Sequence, residues 1–169
     1  IRSYAGSPAA FATVGELARF FDGEFLEAEE GKTLGDRLEV VEVSGWKRDT
    51  AFADTGLTWV LPSPNMPTPN TALVYPGTCL FEGTNLSEGR GTTAPFELIG
   101  APFVDDRWAE RLAGRDVPGV EFRESYSNPV VNKHVGKVCG GVQVHVTGPG
   151  RLDGPRLGAE MLVAAKALY

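Results

Sequence analysis

The sequence has little cysteine, little histidine and no long apolar run. Its 169 residues include two cysteines, Cys79 and Cys139, and two histidines, His134 and His145. No apolar stretch approaches the roughly 20 residues of a membrane-spanning helix, so we predict no membrane span. The HxH, HExxH and CxxC spacings of common metal sites are missing, so we predict no metal. The glycine-rich loops that bind dinucleotides or nucleotide phosphates are missing too, and we predict no cofactor.

The sequence also lacks an excess of basic residues. Its net charge is −6 at pH 7 and its isoelectric point is near 5.0. Nucleic acids and anionic membranes are usually bound through basic patches, so we expect neither as a partner. Neutral and cationic small substrates stay open, and nothing in the composition indicates the oligomeric state.

Both ends of the sequence lack the signals of a complete chain. Ile1 stands where an initiator Met would be, no signal peptide follows it, and the helical pattern at Tyr169 has no stop signal. The length is enough for one domain with its own core. We therefore predict that residues 1–169 form a single domain and are a fragment of a longer protein.

Local patterns predict both helices and strands. Thr13 and Glu16 are spaced as a capping box and predict a helix that ends at Asp22. Thr68 followed by Pro69 predicts the start of a second helix. We predict further helices over residues 105–113 and 155–169, and strands over residues 38–43, 57–61, 96–100, 120–124 and 142–146. This mixture indicates an α/β or α+β fold, with a mixed sheet and flanking helices.

The most informative stretch is residues 75–93, which read YPGTCLFEGTNLSEGRGTT. Polar side chains lie among glycines here, and apolar segments flank them on both sides. Glycine lets the backbone turn and approach a ligand closely, and a polar loop held between buried segments often carries a site. The alternative is an ordinary glycine-rich turn, which spacing alone does not exclude.

Glu82 and Glu88 are the paired acids of this stretch. Glycoside hydrolysis uses two carboxylates, one as an acid and the other as a base or a nucleophile. On one loop, the two could stand at the separation of a retaining or of an inverting enzyme. In the alternative, one of them is structural and pairs with Arg90.

Three other polar residues each have a functional and a structural interpretation. Asn65 lies in a proline-rich loop, where it would bind a sugar hydroxyl or acetamide, or form an Asx turn. Gln143 and His145 share the polar face of a predicted strand. There they would line a cleft or be satisfied structural groups.

The cysteines leave two questions open. Cys79 and His134 would make a nucleophile pair, although no motif supports it. Cys79 and Cys139 would be buried thiols or a disulfide.

Five segments together carry a resemblance to a known family. They are residues 61–68 (LPSPNMPT), 71–93 (the central stretch with its lead-in TALV), 13–18, 95–102 and 133–146. These segments closely resemble the exo-β-N-acetylmuramidase family, long catalogued as a domain of unknown function. The resemblance covers nearly the whole chain. It implies a bacterial glycoside hydrolase of cell-wall turnover, which releases N-acetylmuramic acid from the non-reducing ends of peptidoglycan fragments.

The resemblance also implies an architecture, a location and a substrate. Family members are longer, with a Rossmann-like N-terminal domain ahead of this region and a further stretch behind it. This chain would be the C-terminal part of a two-domain enzyme and would lack that N-terminal domain. Members are often exported, so we expect an extracellular or periplasmic protein. The substrate would be a muramoyl saccharide or a muropeptide.

For the site, the resemblance implies that Glu82 or Glu88 is the acid/base. Asn85, Arg90 and Thr92 would bind and orient the sugar and its lactyl group. Gln143 and His145 would line the cleft, and Asn65 would be a further substrate-binding residue. Where relatives carry a basic segment before the first helix, this chain has PAAFA at residues 8–12. Because the family places one wall of the cleft in the N-terminal domain, we expect the isolated chain to be a very poor enzyme. Two alternatives stay open, a non-catalytic carbohydrate-binding module and a hydrolase that depends on Cys79.

Overall fold

The computed structural model describes residues 12–26 and 31–169; the segment at residues 8–11 lies outside them. The helices of this part are α1 (Val14–Phe21), α2 (Pro69–Thr78), α3 (Arg107–Ala113) and α4 (Gly154–Lys166). The strands are β1 (Leu98–Ala101), β2 (Val120–Ser127) and β3 (Cys139–Val146). Short 3-10 or π-helical turns lie at Asp22–Leu26, Gly35–Arg37, Phe52–Thr55, Cys79–Gly83 and Pro149–Arg151.

The sheet has three strands in the order β1-β3-β2. Alternation along β3 buries Val142 and Val144 in the core, whereas Gln143 and His145 lie on the opposite face. The predicted helices flanking a sheet are confirmed. The predicted mixed sheet is antiparallel throughout the described residues, because β3 runs opposite to both of its neighbours. Of the two fold classes that the sequence leaves open, the structure therefore has α+β.

Helices α2 and α4 cross where backbone meets backbone. A Cβ atom on Gly77 would stand 1.9 Å from the carbonyl oxygen of Gly154, and one on Gly158 would stand 2.3 Å from the carbonyl oxygen of Gly77. Only glycine permits this approach. The core lies between these helices, α3 and one face of the sheet. Its largest fully buried apolar side chains are Trp108, Phe81, Phe96, Ile99, Leu112, Leu152, Leu157, Met161, Val74, Val142 and Val144.

Helix α1 begins as its sequence predicts. The Thr13 hydroxyl accepts from the Glu16 amide at 3.1 Å, and the Glu16 carboxylate accepts from the Thr13 amide at 2.6 Å. This pair is a capping box, which satisfies two amides that the first turn leaves unpaired. The chain does not leave the helical path at Asp22, however, but continues through the π-helical turn Asp22–Leu26.

Two of the predicted strands are wrong, those over residues 38–43 and 57–61. Neither forms a strand, and Val41 and Val60 are 83% and 79% exposed. A strand forms only where another strand accepts and donates its backbone hydrogen bonds, and no described residue pairs with either segment. A smaller difference concerns β1, which begins at Leu98 because Phe96 has a φ of 63° and cannot continue a strand.

The cysteines are free thiols, Cys79 half-buried and Cys139 buried. Of the two alternatives, the structure therefore has thiols rather than a disulfide. No helix in residues 12–26 and 31–169 is both long enough and apolar enough to cross a membrane.

Candidate functional site

The loop that follows α2 is bonded to the free edge of the sheet. The 3-10 turn Cys79–Gly83 opens it. Ser87 then pairs with Gly100 of β1, with N···O distances of 2.7 and 3.0 Å, and the Phe96 amide donates to the Glu88 carbonyl at 2.6 Å. An edge strand presents unpaired backbone groups, and this loop satisfies those of Gly100 on the outer side of β1. The loop is thereby fixed on the sheet with Phe81, Leu86, Ser87 and Glu88 buried.

Glu88 is a buried carboxylate surrounded by donors. Its side chain is 2% exposed. One oxygen lies 3.0 Å from the Asn132 amide nitrogen and 3.3 Å from Arg90 Nε, and the other lies 3.0 Å from Lys133 Nζ. A buried carboxylate is tolerated only where cations and donors replace its water. Glu88 is therefore committed to contacts inside the protein.

Glu82 is the more accessible of the two acids. Its side chain is 40% exposed, and one oxygen lies 2.5 Å from Arg90 Nη2. Arg90 thus contacts both acids, Glu82 with its outer end and Glu88 with its inner end. Its guanidinium carbon also lies 5.0 Å from the centre of the Phe96 ring, within cation–π range. The two acids therefore share the guanidinium of Arg90, and Lys133 supplies a second positive charge beside Glu88.

Tyr75 of α2 lies beside this pair of charges. Its ring packs edge-on against Phe96, with centroids 4.7 Å apart. Burial raises the pKa of Tyr75; the nearby Glu82 carboxylate adds to the rise, and Arg90 opposes it. The phenol consequently stays protonated and is a hydrogen-bond donor near Glu82.

Cys79 does not have the surroundings of a nucleophile. Burial raises the pKa of its thiol, and the negative charge of Glu82 raises it further. Its Sγ contacts the Pro76 carbonyl at 3.7 Å, while the His134 ring bonds to the Asn85 carbonyl at 2.7 Å. Because a reactive cysteine needs a lowered pKa and a nearby base, this geometry argues against a cysteine-dependent reaction.

Three consecutive residues, of which the sequence analysis considered only His134 and only as a partner of Cys79, reach the same loop from 44 to 52 positions away. Asn132 contacts Glu88, and His134 contacts the carbonyl of Asn85. Lys133 lies 2.8, 3.1 and 3.0 Å from the carbonyl oxygens of Phe81, Glu82 and Leu86. No local pattern signals such contacts, since spacing rules act only within one element. The one sequence signal is that residues 133–146 belong to the segments that carry the family resemblance.

Asn85 and Thr92 lie in the same loop, but their visible roles differ. The Asn85 side chain is exposed. The Thr92 hydroxyl donates to the Gly89 carbonyl at 2.6 Å and lies 3.3 Å from the Ala94 amide, so it closes a turn. A binding role for either residue stays a prediction.

Asn65, Gln143 and His145 are not joined to this cluster. The backbone amide of Asn65 donates a hydrogen bond to the Ser63 hydroxyl. The side-chain oxygen of Gln143 accepts from Arg123 Nη2 at 2.5 Å. His145 lies opposite Glu121 in the sheet, with its Nε2 buried and unbonded. Within the described residues no hydrogen bond or ion pair links these three to Glu82, Glu88 or Arg90. Their role in binding stays a prediction.

The described residues offer no obvious metal site. No group of three or more His, Cys, Asp or Glu side chains that could hold an ion occurs in residues 12–26 and 31–169. The cluster around Arg90 instead pairs acids with cations. It can hold one accessible carboxylate, Glu82, in a fixed position next to donors.

Comparison with known proteins places this loop within a family. The C-terminal model of the exo-beta-N-acetylmuramidase NamZ matches residues 73–169, and the N-terminal model matches residues 8–70. The chain is 46% identical over 158 residues to the peptidoglycan beta-N-acetylmuramidase NamZ of Bacillus subtilis (strain 168). That match covers 93% of this chain and 36% of the relative, so the chain spans about a third of the relative's length.

A solved structure is similar to most of this chain. A DUF1343 family protein from Bacteroides fragilis NCTC 9343 superposes with a TM-score of 0.77 at 30% identity, over 92% of this chain and 40% of that one. The family boundary between residues 70 and 73 falls inside the start of α2, just ahead of the loop that carries Glu82. The prediction of a single domain over residues 1–169 stays a prediction. The chain belongs to the exo-beta-N-acetylmuramidase NamZ family.

Proposed function

We propose that the complete protein is a glycoside hydrolase of bacterial cell-wall turnover. It releases N-acetylmuramic acid from the non-reducing ends of peptidoglycan fragments, so that its substrate is a muramoyl saccharide or a muropeptide. Family membership supports this proposal, as does the activity named for the Bacillus subtilis relative. The observation that carries it is the accessible Glu82 carboxylate, held by Arg90 against a buried Glu88.

The two acids have different tasks in this proposal. Glu82 acts at the glycosidic bond, because its carboxylate is the one that a sugar can reach. Glu88 is a positioning residue, because its side chain is 2% exposed and is held inside the protein by one hydrogen bond from Asn132 and by ion pairs with Arg90 and Lys133. Glycoside hydrolysis ordinarily needs a second carboxylate across the bond. We propose that this second group comes from another part of the complete protein.

Arg90 is held in a defined orientation by its contacts within the protein. Its inner end is fixed by Glu88 and its ring contact with Phe96, and its outer end meets Glu82. A guanidinium fork suits the lactyl carboxylate that distinguishes muramic acid from glucosamine. We propose that this outer end is shared between Glu82 and the lactyl group.

We also propose that the complete protein is exported. The support is the substrate, since peptidoglycan lies outside the cytoplasmic membrane of bacteria. Fractionation of the native host, with immunoblotting of cytoplasm, periplasm and medium, tests this. A protein confined to the cytoplasm contradicts it.

Turnover of a chromogenic β-N-acetylmuramide tests the activity. The complete protein should release the chromophore, and Glu82→Gln should lower kcat by about 10²–10⁴-fold, the usual range for a lost acid or base. The matched control is Glu110→Gln, since Glu110 is an exposed acid on α3 outside the cluster. Binding of the sugar without turnover would show a carbohydrate-binding module instead. Residues 1–169 alone, assayed beside the complete protein, should turn over the muramide far more slowly.

A further inference from the structure

One three-residue turn sends every one of its side chains to the loop that carries Glu82. Asn132 reaches the Glu88 carboxylate at 3.0 Å, and His134 reaches the Asn85 carbonyl at 2.7 Å. Between them, Lys133 contacts the backbone of the loop at three carbonyls and Glu88 at its second oxygen. The turn therefore touches both the backbone and the buried acid of the loop.

All three N–H donors of the Lys133 ammonium group are used in these contacts. An ammonium group has three N–H donors, and four oxygens lie between 2.8 and 3.1 Å from this one. Surface lysines usually keep the ammonium group in water, whereas the Lys133 side chain is only 24% exposed. Two of the carbonyls, those of Phe81 and Glu82, belong to the short turn Cys79–Gly83. Lys133 thus holds the main chain of Glu82 itself.

The backbone of the turn is in a conformation that most residues avoid. Asn132 and His134 have φ values of 69° and 58°, in the left-handed region. Such conformations cost energy in a residue with a side chain and persist where the surroundings impose them. Here the conformation aims both flanking side chains at the loop. The turn is tied to the loop from the other side as well, because the Val130 amide donates to the Gly91 carbonyl at 3.0 Å.

We infer that the Asn132–His134 turn is a clamp that positions Glu82 for the reaction, with Lys133 as its central positioning residue. Lys133 need not touch the sugar, because it acts through the carbonyl of Glu82 and through Glu88. The inference rests on the proposed function of Glu82. Loss of the clamp should lower the rate of the chemical step, since reacting groups must be held within a fraction of an ångström.

The test compares two lysines of one loop in the complete protein. Lys133→Met removes the ammonium group and keeps the length of the side chain, and Lys137→Met is the matched control because Lys137 is exposed in the same loop. With Lys133→Met, kcat on the chromogenic muramide should fall about 100-fold with KM nearly unchanged. Hydrogen exchange at the amides of Thr84 and Leu86 should accelerate. Lys137→Met should change neither quantity.

A folded Lys133→Met protein with the kcat of Lys137→Met overturns the inference, and so does a fall in kcat without faster exchange in the loop. If Lys133→Met does not fold, Lys133→Ala is purified in propylammonium, which replaces the missing part of the side chain. Activity that depends on the added amine supports the clamp, and its absence at every amine concentration overturns it. If the unaltered protein shows no turnover, the proposed function fails, while the exchange measurement still decides whether the clamp exists.

Discussion

The described residues before Met66 and those from Met66 onward differ in how many of their side chains are buried. In residues 12–26 and 31–65 no side chain is buried, although the sequence is rich in apolar residues there. From Met66 onward, the same kinds of residue form a continuous core with α2, α3, α4 and the sheet. The difference shows that an apolar sequence pattern contributes to a core only where a second helix or strand packs against it.

The contacts of the two regions follow the same contrast. In the first region, the described contacts are mostly local, such as the capping box of α1 and the rings of Phe20, Phe21 and Phe25, whose centroids lie 5.0 to 6.0 Å apart. In the second region, long-range contacts fix the site, as when Lys133 reaches Phe81. Substitutions should therefore have small effects before Met66 and large ones after it.

The largest contrast is expected for aromatic truncations. Trp108 is fully buried, and its indole nitrogen donates to the Met161 carbonyl at 3.3 Å. Trp108→Ala should lower the free energy of unfolding by about 3–5 kcal/mol, because it leaves a large cavity in the core. Phe21→Ala, at a side chain that is 54% exposed, should cost less than about 1 kcal/mol. Urea denaturation measures both, and equal losses would mean that the first region has a core of its own.

The next contrast concerns two acids. Glu88→Gln removes the buried negative charge that pairs with Lys133 and with the inner end of Arg90, and it should destabilise by about 3 kcal/mol. Glu16 is an exposed acid paired with Arg48 at 2.5 Å, and Glu16→Gln should destabilise far less than Glu88→Gln, because solvent screens the pair. Thermal unfolding of both variants gives the comparison. A neutral effect of Glu88→Gln would remove its assignment as a positioning residue.

Substitutions at two glycines should change the stability by smaller amounts, and the two changes should have opposite signs. Gly158→Ala brings a methyl group against the backbone of Gly77 and should destabilise by about 1–3 kcal/mol, since the helices must separate. Gly23→Ala meets no atom within 4 Å and should be neutral or stabilise by up to about 1 kcal/mol. Both follow from denaturant midpoints. A neutral Gly158→Ala would contradict the close crossing of α2 and α4.

The smallest effects are expected for two surface carboxyls. The backbone amide of Thr13 and the guanidinium of Arg48 lower the pKa of Glu16, whereas Arg107 and Tyr169 lower the pKa of Asp105 to about 2. Each folded pKa lies below its unfolded value, so each contribution to stability is present above the unfolded pKa and is lost as pH falls through the folded one. In NMR titrations, Arg107→Ala should return the pKa of Asp105 toward 3.8. Arg48→Ala should leave the pKa of Glu16 lowered by Thr13, and a full return would contradict that order of causes.

The sequence predicts the parts of the fold that are determined locally. The capping box at Thr13, the cap at Thr68 and the alternation of β3 are each decided by neighbours in sequence, and the structure has all three. The segments at 38–43 and 57–61 have equally strong β-prone patterns, but strand formation depends on a partner, which a local pattern does not report.

In the candidate site, too, contacts between neighbours in sequence are predictable and long-range contacts are not. Glu82, Glu88 and Arg90 are within nine consecutive residues, so their proximity is predictable from the sequence, and the structure joins them. Which acid is buried depends on Asn132 and Lys133, far along the chain. Gln143 and His145 share a face with each other, as the period of a strand requires, yet that face has no described contact with the loop of Glu82. Periodicity predicts which side chains share a face, but not what covers that face.

Azide rescue tests most directly whether Glu82 acts at the glycosidic bond and Glu88 only positions other groups. In Glu82→Ala, a small anion can enter the space of the lost carboxylate and attack the anomeric carbon of an activated 4-nitrophenyl β-N-acetylmuramide. The carbon–oxygen bond then breaks, nitrophenolate leaves, and a carbon–nitrogen bond forms. We predict that the complete protein with Glu82→Ala, given azide, regains nitrophenol release and forms a glycosyl azide, whereas the complete protein with Glu88→Ala does neither. A glycosyl azide formed by the Glu88 variant and not by the Glu82 variant would contradict the account.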